Sequence, residues 1–159
     1  MLSLAECTPA PLIAPIDPAA SEVADRIVAI QRDGYAVEAG LMGFDGIPQL
    51  HESVEEVERL GHMVWRGAFS GTTLVGLIAW EQLGEIIDID GLVVDPAFAR
   101  QGHGMRPVQS APPSRVATVS TGTDNGPALA LYWSLGFREA GQTEVAEDIF
   151  TTQLERRID

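Results

Sequence analysis

Three apolar runs, MVWRGAF, TTLVGLIAW and EIIDIDGLVV, follow one another between Met63 and Val94 with only SG and EQLG between them. Connections this short cannot carry the crossover that joins parallel strands, so the runs predict an antiparallel meander. A meander has two faces to cover, and the flanking sequence must supply the helices that cover them.

Those helices are legible on both sides. LIAPI (Leu12 to Ile16) is a strand candidate, and Asp17-Pro18 opens a helix whose apolar residues Val23, Ile27, Ile30, Val37 and Leu41 recur near helical spacing. Gly34 weakens that helix without ending it. MGFDGIPQL is a loop, and Ser53 opens a second helix, SVEEVERLG, with Glu56 in a capping box and Gly61 as its stop. After the meander come a brief helix that Pro112-Pro113 ends, a strand RVATVST, a helix PALALYWSLG, and a closing pair of strands around Gly141 to Glu144 and Asp148 to Leu154. The predicted order is β-α-α-β-β-β-α-β-α-β-β. At 159 residues this is the size of one domain, and residues 1–159 are expected to form a single one.

Charge narrows the partners. The chain carries 23 Asp and Glu against 10 basic residues, all arginine, for a net charge of −13. Nucleic acid is disfavoured as a partner. An acidic exterior either attracts cationic substrates such as amines or serves solubility alone. No apolar run approaches the ~18 residues of a membrane span, and the first residues lack the basic flank of a signal peptide. A cytoplasmic protein with no membrane partner is expected; a homodimer is left open. Cys7, His51, His62 and His103 show no zinc-ligand spacing, so no metal is expected.

After the third apolar run the sequence reads DPAFARQGHGM, Asp95 to Met105. A Walker loop is excluded because the chain has no lysine, and the dinucleotide fingerprint is weak because its third glycine is replaced by Pro107. What remains is strand, Gly-x-Gly turn and helix start, which is either a structural turn or an anion cradle of free backbone N–H groups.

LVVDPAFARQGHGM followed by TDNGPALALYWSLGF resembles the Gcn5-related N-acetyltransferase superfamily. The upstream pattern falls on Val94, Pro96, Ala99, Gly102 and Gly104; the downstream one falls on Asn125, Ala128, Leu131, Tyr132, Gly136 and Phe137. Ala99 departs from the usual Gln or Arg, with Arg100 and Gln101 beside it. The resemblance implies an α/β (α+β) fold with a mixed, mainly antiparallel twisted sheet, splayed where acetyl-coenzyme A binds. It further implies transfer of an acetyl group to a primary amine of a small molecule or peptide by direct attack in a ternary complex.

On that resemblance each residue takes a task. Backbone amides of Gln101, Gly102, His103, Gly104 and Met105, with Arg100 nearby, would hold the pyrophosphate of coenzyme A. Leu92, Val93 and Val94 would border the peptide-like pantetheine, the Val94 N–H would face the thioester oxygen, and Asn125 would complete the cofactor site. Tyr132 is either a packed tyrosine or the acid that protonates the departing sulfur. Asp88 and Asp90, two apart on one strand, share a face; they are either solvated acceptors or groups that attract and deprotonate the amine, with Asp88 favoured as base because it lies deeper from a bulge at Val94. The acceptor would be selected by the loop from Gly43 to His51 and by the closing strands. Only ten residues, Met105 to Ser114, connect the glycine loop to the next strand, and three of them are proline. That shortened helix leaves a second function class open, a non-catalytic acyl-coenzyme A binding or sensing module on the same fold.

Overall fold

A computed structural model describes residues 12–98 and 116–157, together with Pro107 and Gln109. The meander is present as β2 (Val64–Ser70), β3 (Thr73–Leu83) and β4 (Ile86–Val94), with β1 (Leu12–Pro15) added at the edge of β2. Seven consecutive residues of β3, Leu74 to Trp80, are buried. That continuous burial explains its unbroken apolar run, because helices cover the sheet on both faces.

The remaining strands are β5 (Val116–Gly122), β6 (Arg138–Ala146) and β7 (Ile149–Arg157), and the sheet order is β1-β2-β3-β4-β5-β7-β6. Among the described strands only β4 and β5 pair in parallel. The closing pair is longer at both ends than its turn residues imply, with Asp148 at φ 58° in the hairpin connection. The described elements follow the order read from the sequence. The brief helix after the glycine loop lies outside the described residues except for Pro107 and Gln109, both helical.

Helix α1 (Ser21–Met42) starts later than Asp17-Pro18 and runs through Gly34 to an αL cap at Gly43 (φ 62°). Its buried stripe includes Ala24, Ile27, Val28, Gln31, Tyr35 and Met42. Val37 and Leu41, assigned above to the apolar face, are instead 53% and 46% exposed. The stripe continues through Gln31 and Tyr35, so the helix turns polar side chains inward in its second half. Helix α2 (Val54–Glu58) begins as expected: the Ser53 hydroxyl oxygen accepts from the Glu56 N–H at 3.2 Å. It ends at Arg59, before Gly61. Pro48–His51 forms a 3-10 turn within the segment expected as loop. Helix α3 is Gly126–Ser134.

Two cores result. Ile27, Ile30, Trp65, Leu77 and Ala79 pack on the α1 face, while Ile78, Trp80, Ile89, Leu129 and Phe137 pack on the α3 face. Trp65 and Trp80 are thus core residues on opposite sides of the sheet. Gly34, within α1, permits the helix's close approach to β4: a Cβ there would clash with the Val93 side chain and lie 3.1 Å from the Val94 carbonyl oxygen.

Gly34→Val should therefore destabilise the protein by about 2 kcal/mol or more, since the added carbons meet backbone as well as a side chain. Urea denaturation checks this; a change within about 0.5 kcal/mol, the size of an ordinary surface substitution, would mean that the helix is not tightly seated there.

Candidate active site

Strands β4 and β5 pair from Ile86↔Val116 to Ile89↔Val119 and no further. Past that rung β5 keeps its pairing with β7 through Gly122↔Thr151, and β4 keeps its pairing with β3 through Val94↔Gly76. The two strands part, and a cleft of about 890 Å³ opens between them. Its walls include Leu92, Val93 and Val94 from β4, Val119 to Gly122 from β5, and Asn125, Ala128, Leu131 and Tyr132 around α3.

The bulge expected at Val94 lies elsewhere. Ala79 pairs with Gly91 and Trp80 with Ile89, so Asp90 is the extra residue on β4. A bulge sharpens local twist and bends its strand, and here it falls one residue beyond the last β4–β5 pair. The Asp95 N–H donates to the Val75 carbonyl at 2.8 Å, toward β3. Because backbone groups alternate sides along a strand, those of Leu92 and Val94 face away from β3, toward the gap. Arg26 fixes this strand end by donating to Asp95 Oδ2 at 2.8 Å and to the Leu74 carbonyl at 2.9 Å.

Asn125 caps α3: its Oδ1 accepts from the Ala128 N–H at 3.2 Å, which places the helix start at the cleft. Tyr132, one helical face along, is 3% exposed and meets Phe137 edge-on at 5.3 Å. Its hydroxyl makes no hydrogen bond to a described residue, and burial, then Glu38, push its pKa well up, so the phenol stays protonated.

The two aspartates are treated differently. The Asp88 carboxylate accepts from the Thr118 hydroxyl at 2.7 Å on a rung where β4 and β5 are still paired, and it does not line the cleft. Asp90 does line it. Gln49 Nε2 donates to the Asp90 carbonyl at 3.0 Å and to its Oδ2 at 3.5 Å, and burial raises the carboxyl pKa against the side-chain contact and His62, with Asp88 and Glu81 adding to the rise. Arg100, Gln101, Gly102, His103, Gly104 and Met105 lie outside the described residues.

Four residues not singled out in the sequence gather on the other side of Asp90. Tyr35 and Glu38 of α1 and Gln49 of the 3-10 turn line the cleft, and Glu52 follows that turn. Tyr35 and Glu38 are spaced i, i+3 on the helix, a polar break in the apolar stripe that was the available signal. Gln49 lies in the loop expected to select the acceptor, and Val145 and Thr151 of the closing strands also line the cleft. The described residues contain no group of three side chains able to hold a metal ion. No described helix is long and apolar enough to cross a membrane.

The fold superposes on known structures over nearly its whole length. The PaiA N-acetyltransferase of Thermoplasma acidophilum, solved with coenzyme A, matches with a TM-score of 0.75 at 14% identity, covering 92% of this chain and 99% of that one. The ribosomal-protein-S18-alanine N-acetyltransferase of Escherichia coli matches at 0.74 and 15% identity, over 94% of each chain. A GCN5-related N-acetyltransferase from Rhodopseudomonas palustris matches at 0.74 and 16% identity, over 96% and 98%. The fold is that of the GCN5-related N-acetyltransferases.

Sequence comparison gives partial relatives. UPF0157 protein YqkA of Bacillus subtilis is 31% identical over 131 residues, 80% of this chain and 38% of that protein. N-alpha-acetyltransferase RimI of Mycobacterium tuberculosis is 36% identical over 87 residues, 50% of this chain and 55% of that protein. The chain thus spans 38% and 55% of the length of these curated relatives. No protein-family model matches it.

Glu52 carries a pH signature of the acidic side of the cleft. Its Oε2 is buried without a partner, and burial, then Asp90 and Glu56, raise its pKa from 4.5 to about 7. The folded state therefore holds this proton more tightly than the unfolded chain. The stabilisation is fully present below about pH 4.5 and is lost as pH rises through about 7. Glu52→Gln should give a shallower fall in melting temperature across that window than the parent shows. An identical slope in both proteins would remove Glu52 from the coupled group.

Proposed function

We propose that this chain is an acetyl-coenzyme A-dependent N-acetyltransferase that acts on a primary amine of a small molecule or peptide by direct attack in a ternary complex. The observation that carries the reading is the parting of β4 and β5 beside the buried side chain of Tyr132, which lines the cleft and whose hydroxyl makes no hydrogen bond to a described residue. A peptide-like pantetheine fits a gap that offers strand backbone without a protein partner, and the volume falls within the roughly 300 to 1,000 Å³ of small-molecule sites. When bound, acetyl-coenzyme A supplies the activated acyl group.

The chain's own groups then have distinct work. The N–H of Val94 faces the gap as a donor to an oxygen that gains negative charge. Tyr132, kept protonated by burial and by Glu38, gives its proton to the departing sulfur. Asp90 attracts the ammonium and takes its proton, directly or through water; its raised pKa makes it a better base than an ordinary aspartate. Asp88, engaged by Thr118 and outside the cleft, is assigned a supporting place on the strand. Arg100 to Met105 retain the pyrophosphate task that their motif implies.

The shortened proline-rich connection keeps the acyl-coenzyme A sensing module as the competing reading. Release of free thiol from acetyl-coenzyme A in the presence of an amine panel tests the enzyme; thermal stabilisation by coenzyme A with no thiol released under any amine would favour the module.

Tyr132→Phe should lower turnover by roughly ten- to a thousandfold with little change in coenzyme A affinity. Equal turnover in steady-state assays would reduce Tyr132 to a packing residue. Asp90→Asn should lower the rate most near neutral pH, with the deficit shrinking at high pH where solution deprotonates the amine, and Asp88→Asn should lower it less. A pH–rate comparison in which Asp88→Asn is the more damaged variant would reverse the assignment.

A further inference from the structure

Among the described residues the cleft lining holds two carboxylates and no basic side chain; His62, outside the lining, bears on Asp90 alone. Glu38 and Asp90 are the charged side chains among its described lining residues, and no arginine or histidine joins them there. A zwitterionic amino acid would bring a carboxylate into that field without a partner. A simple monoamine would answer one carboxylate and leave the other.

Glu38 is built into position. It reaches from α1 to β5 beyond the last β4–β5 rung, and its Oε1 accepts both the Thr121 hydroxyl at 3.2 Å and the Gly122 N–H at 3.3 Å. Both bonds fall on one oxygen, so Oε2 is left for a ligand. One turn earlier on the same helix, Tyr35 lines the cleft, is 6% exposed and makes no hydrogen bond to a described residue. Its hydroxyl rests on β4, where a Cβ at Gly91 would lie 2.7 Å from it. Unpaired on a buried side chain that lines the cleft, this hydroxyl keeps its lone pairs for a ligand's donor. Burial and then Glu38 raise its pKa, so it remains a neutral phenol able to accept from a cation. Between the polar groups the walls are apolar, with Met42, Phe44, Ile47 and Val145.

We infer that the acceptor is a short aliphatic diamine, with the reacting amine at Asp90, the second ammonium at Glu38 and Tyr35, and the methylene spacer on the apolar walls. Glu38 is then the residue that sets specificity. The inference rests on the acetyltransferase reading for which end reacts, but the charge preference of the cleft can be tested without turnover.

The test compares butylamine, diaminobutane and an amino acid with the parent protein and Glu38→Gln. Glutamine keeps an acceptor for Thr121 and Gly122 while removing the charge. In the parent, diaminobutane should exceed butylamine in kcat/KM by on the order of tenfold, the worth of one charge-assisted hydrogen bond, and the amino acid should be poorest. Glu38→Gln should collapse that ratio toward one. Calorimetric titration of the coenzyme A-loaded protein with each amine should show the same ordering of affinities and the same collapse, with thermal unfolding of the variant confirming that it is folded. A parent protein that binds butylamine as tightly as diaminobutane, or a variant that weakens both equally, overturns the inference. Thiol release by no amine, with the binding preference intact, would instead overturn the acetyltransferase reading and leave the dicationic site standing.

Discussion

The structure turns on the point where β5 stops pairing with β4. Up to Ile89↔Val119 the two strands share one parallel ladder; beyond it each has its other neighbour and neither has this one. Unpaired backbone groups in a protein interior are expensive, so a sheet that opens in its middle must leave them to solvent or to a ligand. The bulge at Asp90 makes the opening local, because the extra residue bends β4 just where pairing ends. The same residue carries its carboxylate into the cleft.

Helix α1 closes one side of that opening, and its composition follows from the two environments it crosses. Its first half seats Ala24, Ile27 and Ile30 in a dry core. Its second half passes over the gap, where an apolar stripe would have nothing to bury against, and presents Tyr35 and Glu38 instead. Gly34 stands near the change of environment and lets the helix sit close enough to β4 for both halves to reach the sheet. Glu38 then ties the helix to β5 across the space that the strands leave. What looks locally like a weakened helix is the roof of the cleft.

The fold was legible from the sequence because its elements are punctuated by turn residues and by two periodicities. The meander, the Ser53 capping box and the helix after Asn125 all sit where local pattern puts them. The site was legible only along the strand and the helix that carry motifs. Tyr132 and Leu92 to Val94, on the segments that carry the resemblance, line the cleft. Val37 and Leu41 misled because helical spacing fits more than one stripe, and only the position of the gap decides which stripe is buried. Spacing two apart predicts a shared face for Asp88 and Asp90, yet period alone cannot say where a bulge falls or where pairing stops, and that boundary separates a carboxylate held by Thr118 from one in the cleft. Tyr35 and Glu52 come to Asp90 from distant parts of the chain; the polar break in α1 marks Tyr35 and Glu38 but not what they face.

That meeting sets the electrostatic problem of the cleft. Burial raises the pKa of Tyr35, Tyr132, Glu52 and Asp90, and neighbouring acidic groups raise them further, so the surroundings disfavour negative charge, opposed only at Asp90 by the Gln49 hydrogen bond and His62. A reaction that releases a thiolate here would work against that field, since like charges in a low-dielectric site repel strongly. In the proposed transfer this field would make proton delivery from Tyr132 more demanding and more valuable than in a neutral cleft, and would leave the Val94 N–H as the donor to developing oxyanion charge. It also favours a cation before any chemistry begins. An amine that enters charged is held by the same carboxylates that must later discharge it, and the raised pKa of Asp90 lets one group do both, attracting the ammonium while ionised and keeping its proton once it has it.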